Sequence, residues 1–249
     1  RTKTKAELQN ELKELLRAMD VFVLPSLGAT FGELAQLIAS GAAWSPLLQT
    51  AGHALTGFLV GGACGLALGL LGGFVWPVAA AAGPVLTAIL GTPPIAWVVL
   101  ALLWFGPGGA APVFTVAITA APIVFLAGLH GVRARDAQLM EMARIYRAPL
   151  LQRLSDILLP RLAQALAPAL ATALAFSFKV SVMAEVLSGA DGVGGAIADA
   201  RAVLDLPQTM AWIVLVVMVL LAVDAVLFAP LRGWLAANGG APVAATAKG

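Results

Sequence analysis

From Leu34 to Val132 the chain contains no Asp, Glu, Lys or Arg. A soluble domain could not hide so long an uncharged stretch, because much of any folded surface must face water. Of the 249 residues, 60% are hydrophobic and 11% charged, against about 25% charged in an ordinary soluble domain. Arg133, Arg135, Arg144, Arg147, Arg153 and Arg161 then arrive in quick succession. Arginines clustered between apolar runs mark a cytoplasmic loop, here 131–161. Lipid admits only helices or closed barrels, since every backbone polar group must be satisfied internally. The composition and helical run lengths point to an all-α integral membrane protein.

Spans need about 20 apolar residues. They are predicted near 47–73, 80–104, 111–130, 163–187 and 209–229. Thr92-Pro93-Pro94 interrupts the second, which is expected to be kinked or split. Between the last two spans, residues 188–207 open on glycines and close on a short helix carrying Asp199, Arg201 and Asp205.

Residues 1–20 form a separate unit. Leu8, Leu12, Leu15 and Leu16 fall at helical spacing among charged residues, the pattern of an amphipathic helix that lies on a lipid surface or a partner. Residues 21–45 are read as an interfacial segment: an extended entry over VFVLPSLGAT, then a short amphipathic helix over FGELAQLIAS. The membrane domain is expected over 46–235 and a flexible tail over 236–249. Five spans would place residues 1–45 outside, against the preference of Arg1, Lys3, Lys5, Lys13 and Arg17 for the cytoplasm. A first transmembrane helix that is missing, shortened or replaced is therefore expected, for five or six spans in all.

Gly57, Gly61, Gly65, Gly69 and Gly73 recur every four residues in the first span. Such a stripe lets a second helix approach backbone to backbone, a packing feature of a tight bundle. Cys64, the single cysteine, is expected to be a small buried hydrophobe.

Enzymatic chemistry finds no foothold. No glycine-rich loop ends in Gly-Lys-Ser/Thr, so ATP binding through a P-loop is not expected in this chain. His53 and His130 are the only histidines, and no His, Cys, Asp and Glu set has metal-ligand spacing. Nothing points to nucleic acid.

The polar segment is the exception. Arg135 to Tyr146 reads as a helix with Leu139, Met142 and Ile145 or Tyr146 on one face. Ala148-Pro149 breaks it, because the residue before proline avoids the helical region. Leu150 to Leu159 resumes as a second helix ending at Pro160. The result is a two-helix elbow carrying Tyr146, the only tyrosine, between Arg144 and Arg147. An aromatic beside arginines suits a protein–protein anchor; the same residues would equally serve a solvated basic loop that fixes topology.

EMARIYRAPLLQRLSDILLP, residues 141–160, resembles the EAA loop of the membrane subunits of ABC importers. That pattern is Glu-Ala-Ala, three residues, Gly, then nine or ten residues to Ile-x-Leu-Pro. Glu141, Ala143, Ile157, Leu159 and Pro160 are in register, while Met142 replaces the first Ala and Arg147 replaces the Gly. LPSLGATFGEL, GTPPIAWVVLALLWFG and FKVSVMAEVLSGADGVGGAI resemble, in the same order, stretches of the nitrate/sulfonate/taurine permease group of type I, binding-protein-dependent importers. The resemblance runs from about residue 22 to 230. It implies a coupling helix around Glu141, Ala143, Arg144, Tyr146, Arg147, Ala148 and Pro149, seated on cytoplasmic ATPase subunits that hold ATP and Mg. It further implies a second permease copy, an extracytoplasmic substrate-binding protein and a multi-pass place in the bacterial inner membrane. The implied cargo is a small polar or anionic solute of the nitrate, sulfonate, taurine or bicarbonate kind.

Lys179 and Glu185 are the only charges within the fourth span. Charge at membrane depth is costly and faces a cavity or a partner, so both are candidates for a translocation pathway. Six residues apart, they project roughly 240° from each other around a helix and are not expected to pair. Asp224 is the corresponding charge of the fifth span. The alternative function is a self-contained secondary transporter or channel, a class that shows internal repeats; none is evident here.

Overall fold

The computed structural model describes residues 26–134 and 158–223, together with Glu141, Met142, Ile145, Tyr146, Pro149, Gln152, Asp156 and Ala225. The amphipathic segment 1–20, Ala143, Arg144, Arg147, Ala148, Asp224 and the tail 236–249 lie outside the described residues.

Every described element is helical. Helix α1 is Leu27–Ala39, α2 Trp44–Phe74, α3 Trp76–Gly91 and α4 Pro94–Phe105. They are followed by α5 Ala110–Arg133, α6 Leu159–Ser188, α7 Val193–Ala202 and α8 Leu206–Val223. Four stretches are long and apolar enough to cross a membrane, or five when α3 and α4 count together. Those two are bent by 101°. Thr92 there is extended (φ −84°, ψ 130°), as a residue before proline must be. The predicted interruption of the second span is thus a full corner.

Two boundaries differ from expectation. The chain around Leu27 to Thr30 is helical, not extended, because Ser26 caps it: the Ser26 hydroxyl accepts from the Ala29 N–H at 3.2 Å, satisfying one of the first-turn donors. Pro160 opens α6 instead of closing a preceding helix. Proline suits a first turn, where its missing N–H has no partner to lose. Cys64 also departs from expectation, being exposed; a thiol is apolar enough for a surface that meets lipid.

The glycine stripe explains the principal contact. A Cβ built on Gly57, Gly61, Gly65 or Gly69 would fall under 3.0 Å from the carbonyl oxygens of Val113, Ala117, Ala121 and Phe125 respectively. At Gly73 the obstruction is the Val132 side chain. Residue numbers rise together along both helices, so α2 and α5 run parallel and α3–α4 returns the chain between them. Backbone against backbone, van der Waals contact supplies the attraction that the hydrophobic effect cannot supply in lipid.

Helix α6 runs antiparallel to this pair. Gly131 near the end of α5 abuts Leu162 and Ala165, whereas Glu185 near the end of α6 reaches Thr50 near the start of α2. At the Arg133 end, the Arg133 guanidinium donates to the Gly72 carbonyl at 3.2 Å and that of Arg161 to the Ala134 carbonyl at 2.9 Å. At the opposite end α1 and α7 close over α8. Leu34, Leu37, Val193, Ala200, Ala211, Trp212 and Leu215 form one buried cluster there. Large apolar side chains such as Trp76, Val99, Leu103 and Trp104 remain exposed on α3 and α4, a surface suited to lipid and not to water.

Candidate functional site

Three places hold chemistry-bearing side chains. The first is Glu185, whose side chain is fully buried. Its Oε2 accepts from the Thr50 hydroxyl at 2.7 Å and from the Gly194 N–H at 3.0 Å. Its Oε1 lies 2.9 Å from His53 Nδ1 and 3.2 Å from Ser181 Oγ. Thr50 Oγ1 in turn accepts from the Val193 N–H at 2.9 Å. Two first-turn donors of α7 are therefore satisfied by side chains from α6 and α2, and a carboxylate sits where the helix dipole favours negative charge. Gly192 makes this possible. Its φ of +135° is open only to glycine, and a Cβ there would press on Glu185 and Thr50.

Glu185, a candidate for the pathway, is enclosed by its own chain in this structure. Glu185 and Lys179 are not brought together, as their spacing implies. The residues that complete the cluster, Thr50, His53 and Ser181, were not singled out from the sequence. A signal existed: Thr50 and His53 are three apart and share a face of an otherwise apolar helix, and polar groups inside a span need partners. The partner's identity depends on the tertiary fold.

Lys179 is the second place. It is exposed on α6 and lines a cavity of about 500 Å³ with Ala51, Ala54, Leu55, Phe178, Leu220 and other apolar residues of α2, α6 and α8.

The third place is the polar segment. Glu141, Met142 and Ile145 are helical, and the Tyr146 N–H donates to the Met142 carbonyl at 2.9 Å. Met142, Ile145, Tyr146 and Pro149 are all exposed, with Tyr146 at 78%. Three exposed apolar or aromatic side chains thus fall within five residues of sequence. Among the described residues no cluster of His, Cys, Asp and Glu could hold a metal.

Residues 65–235 match the family of binding-protein-dependent transport system inner membrane components. The chain belongs to this family. It is an ABC importer permease: a multi-pass component of the inner membrane whose work is transport. Family membership sets aside the alternative of a self-contained transporter or channel. The matched range takes in Gly65, Tyr146, Lys179 and Glu185, while Thr50 and His53 precede it.

A Bacillus subtilis permease protein named for aliphatic sulfonates transport is 29% identical over 186 residues, 75% of this chain and 67% of that protein. A riboflavin transport system permease protein of Chloroflexus aurantiacus is also 29% identical, over 77% of this chain and 72% of its own length. The nitrate import permease protein of Leptolyngbya laminosa is 28% identical, over 58% of this chain and 52% of its own. Among solved structures, an amino acid ABC transporter chain superposes with a TM-score of 0.61 at 19% identity, covering 82% of this chain and 95% of that one. The MetNI methionine ABC transporter in an inward-facing form gives 0.57 at 19% identity, covering 77% and 93%. These likenesses establish the type I importer permease fold.

Proposed function

We propose that this permease forms the membrane pathway for a small polar or anionic solute, of the nitrate, sulfonate, taurine or bicarbonate kind. ATP and Mg are held by separate cytoplasmic ATPase subunits. A second copy of the permease completes the pathway, and an extracytoplasmic binding protein delivers the solute. The chain does no covalent chemistry; it supplies a lever and a passage.

The observation that carries this reading is the exposed triad Met142, Ile145 and Tyr146 on a family-matched chain, in the loop that its arginines assign to the cytoplasm. Exposed apolar side chains in a row indicate a surface that docks something. Closure of paired ATPases on ATP would push this elbow, and the spans would rock to alternate access. Relatives named for sulfonate and nitrate transport support the anionic class.

The test is purification followed by reconstitution. Expressed with its neighbouring genes, the chain brings an ATPase subunit with it, and proteoliposomes containing both accumulate solute only with ATP and the binding protein. A chain that purifies alone and transports without ATP would overturn the proposal.

A further inference from the structure

We infer that the N-terminal segment folds back on α1: residues 8–19 dock as a helix, antiparallel, along the exposed face of Leu27–Ala39.

Helix α1 spends only one face on the bundle. Thr30, Leu34 and Leu37 are buried, the two leucines in the cluster with Ala211, Trp212 and Leu215 of α8. The opposite face carries Gly28, Gly32, Ala35 and Ala39, all exposed. Leu27, 78% exposed, and Phe31, 57% exposed, edge it together with Ile38. A Cβ added to Gly28 or Gly32 meets nothing within 4 Å. A face turned to lipid looks different: α4 presents Ile95, Val99 and Leu103 outward, where α1 presents the smallest side chains. Glycine weakens a helix interior, and a smooth strip of Gly and Ala is of use where another helix comes close.

The occupant follows from where the chain goes. Helix α1 begins directly after the Ser26 cap, so residues 1–25 leave from its first turn. Leu8, Leu12, Leu15 and Met19 stand at intervals of four, three and four, which is one face of a helix. Gly28, Gly32, Ala35 and Ala39 follow the same intervals. Laid antiparallel, Met19 meets Gly28, Leu15 meets Gly32, Leu12 meets Ala35 and Leu8 meets Ala39. A single register thus sets all four large side chains over all four small ones. Each strip is about 16 Å long. Residues 21–25 remain as the connection, a usual length between two antiparallel helices. Glu7, Asn10, Lys13, Glu14 and Arg17 fall on the other side of the segment and stay in water.

The test is cysteine cross-linking of the full chain in membranes, on a Cys64→Ser background because Cys64 is exposed. Leu15→Cys with Gly32→Cys, and Leu12→Cys with Ala35→Cys, are expected to form a disulfide within one chain under mild oxidant. Glu14→Cys with Gly32→Cys should bridge at least about tenfold more slowly, because the first of these side chains points away from α1. Gly32→Leu fills the face without meeting the bundle. It should leave the melting temperature unchanged and slow bridging of the Leu12→Cys, Ala35→Cys pair by about tenfold. Bridges between two copies at the facing pairs would assign the face to a second copy. Equal rates for the Glu14 pair would deny the register, and no bridge at either facing pair would leave the face to lipid. Each of these results, or unchanged bridging in Gly32→Leu, overturns the docking.

Discussion

His53 Nδ1 lies 2.9 Å from Glu185 Oε1 across 132 residues of sequence, tying the start of α2 to the end of α6. Thr50 makes the second tie, at 2.7 Å to the other carboxylate oxygen. The fully buried carboxylate joins three helices at the end of the bundle away from Arg133 and Arg161.

Glu185→Ala leaves Thr50, His53 and the Gly194 N–H without their acceptor. Leaving a buried hydrogen-bonding group without its partner costs about 1–3 kcal/mol. Thermal melting in detergent is expected to fall sharply for Glu185→Ala and less for Glu185→Gln, which keeps one acceptor oxygen. Equal melting of the alanine variant and the parent would show that the cluster stabilises nothing.

Gly61→Ala drives a Cβ into the Ala117 carbonyl, so α2 and α5 must part. Overpacking of this kind costs about 1–3 kcal/mol, and Gly61→Leu is expected to prevent folding. Gly52, on the same helix, has nothing within 4 Å of its added Cβ. Gly52→Ala should be neutral or slightly stabilising, by up to about 1 kcal/mol from helix propensity. Yield and melting temperature of the three variants, compared side by side, check this.

Gly192→Ala asks a side chain to adopt a φ of +135° and to enter the space of Glu185 and Thr50. Backbone strain alone is about 1–3 kcal/mol. The variant should melt lower than parent, and combining it with Thr50→Ala should cost less than the sum of the two, since both act on the same contact. Strict additivity would separate Gly192 from the cluster.

Tyr146→Glu places a charge on a surface proposed to dock on the ATPase. The side chain is 78% exposed, so folding is expected to be unaffected, with melting within about 0.5 kcal/mol of parent as for other surface changes. Solute transport per ATP hydrolysed should fall several-fold in proteoliposomes. An unchanged ratio would remove Tyr146 from the coupling surface.

What the sequence made legible was whatever is local in cause. Apolar run length sufficed to mark the spans, because bilayer thickness sets it. Thr92-Pro93-Pro94 announced the corner between α3 and α4, since proline acts on its own neighbours. The four-residue glycine period announced a packing face, though α5 as its occupant could not be named from α2 alone. Pro160 was ambiguous for a physical reason: proline suits the residue after one helix and the first turn of another. Ser26 is a recognisable cap, and its reach to Ala29 was missed beneath the reading of an extended entry. Least legible was Glu185. A charge in a span implies a counterpart, but Thr50 and His53 lie more than a hundred residues away, and only the antiparallel approach of α2 and α6 selects them.

The stacking of Gly57, Gly61, Gly65 and Gly69 on four successive carbonyls of α5 leaves no slack along that seam. Sliding by one residue would drive the flanking side chains into the neighbouring main chain. The two helices must therefore travel as a single stiff plank. Any relative movement of helices in this bundle has to occur elsewhere than along this seam.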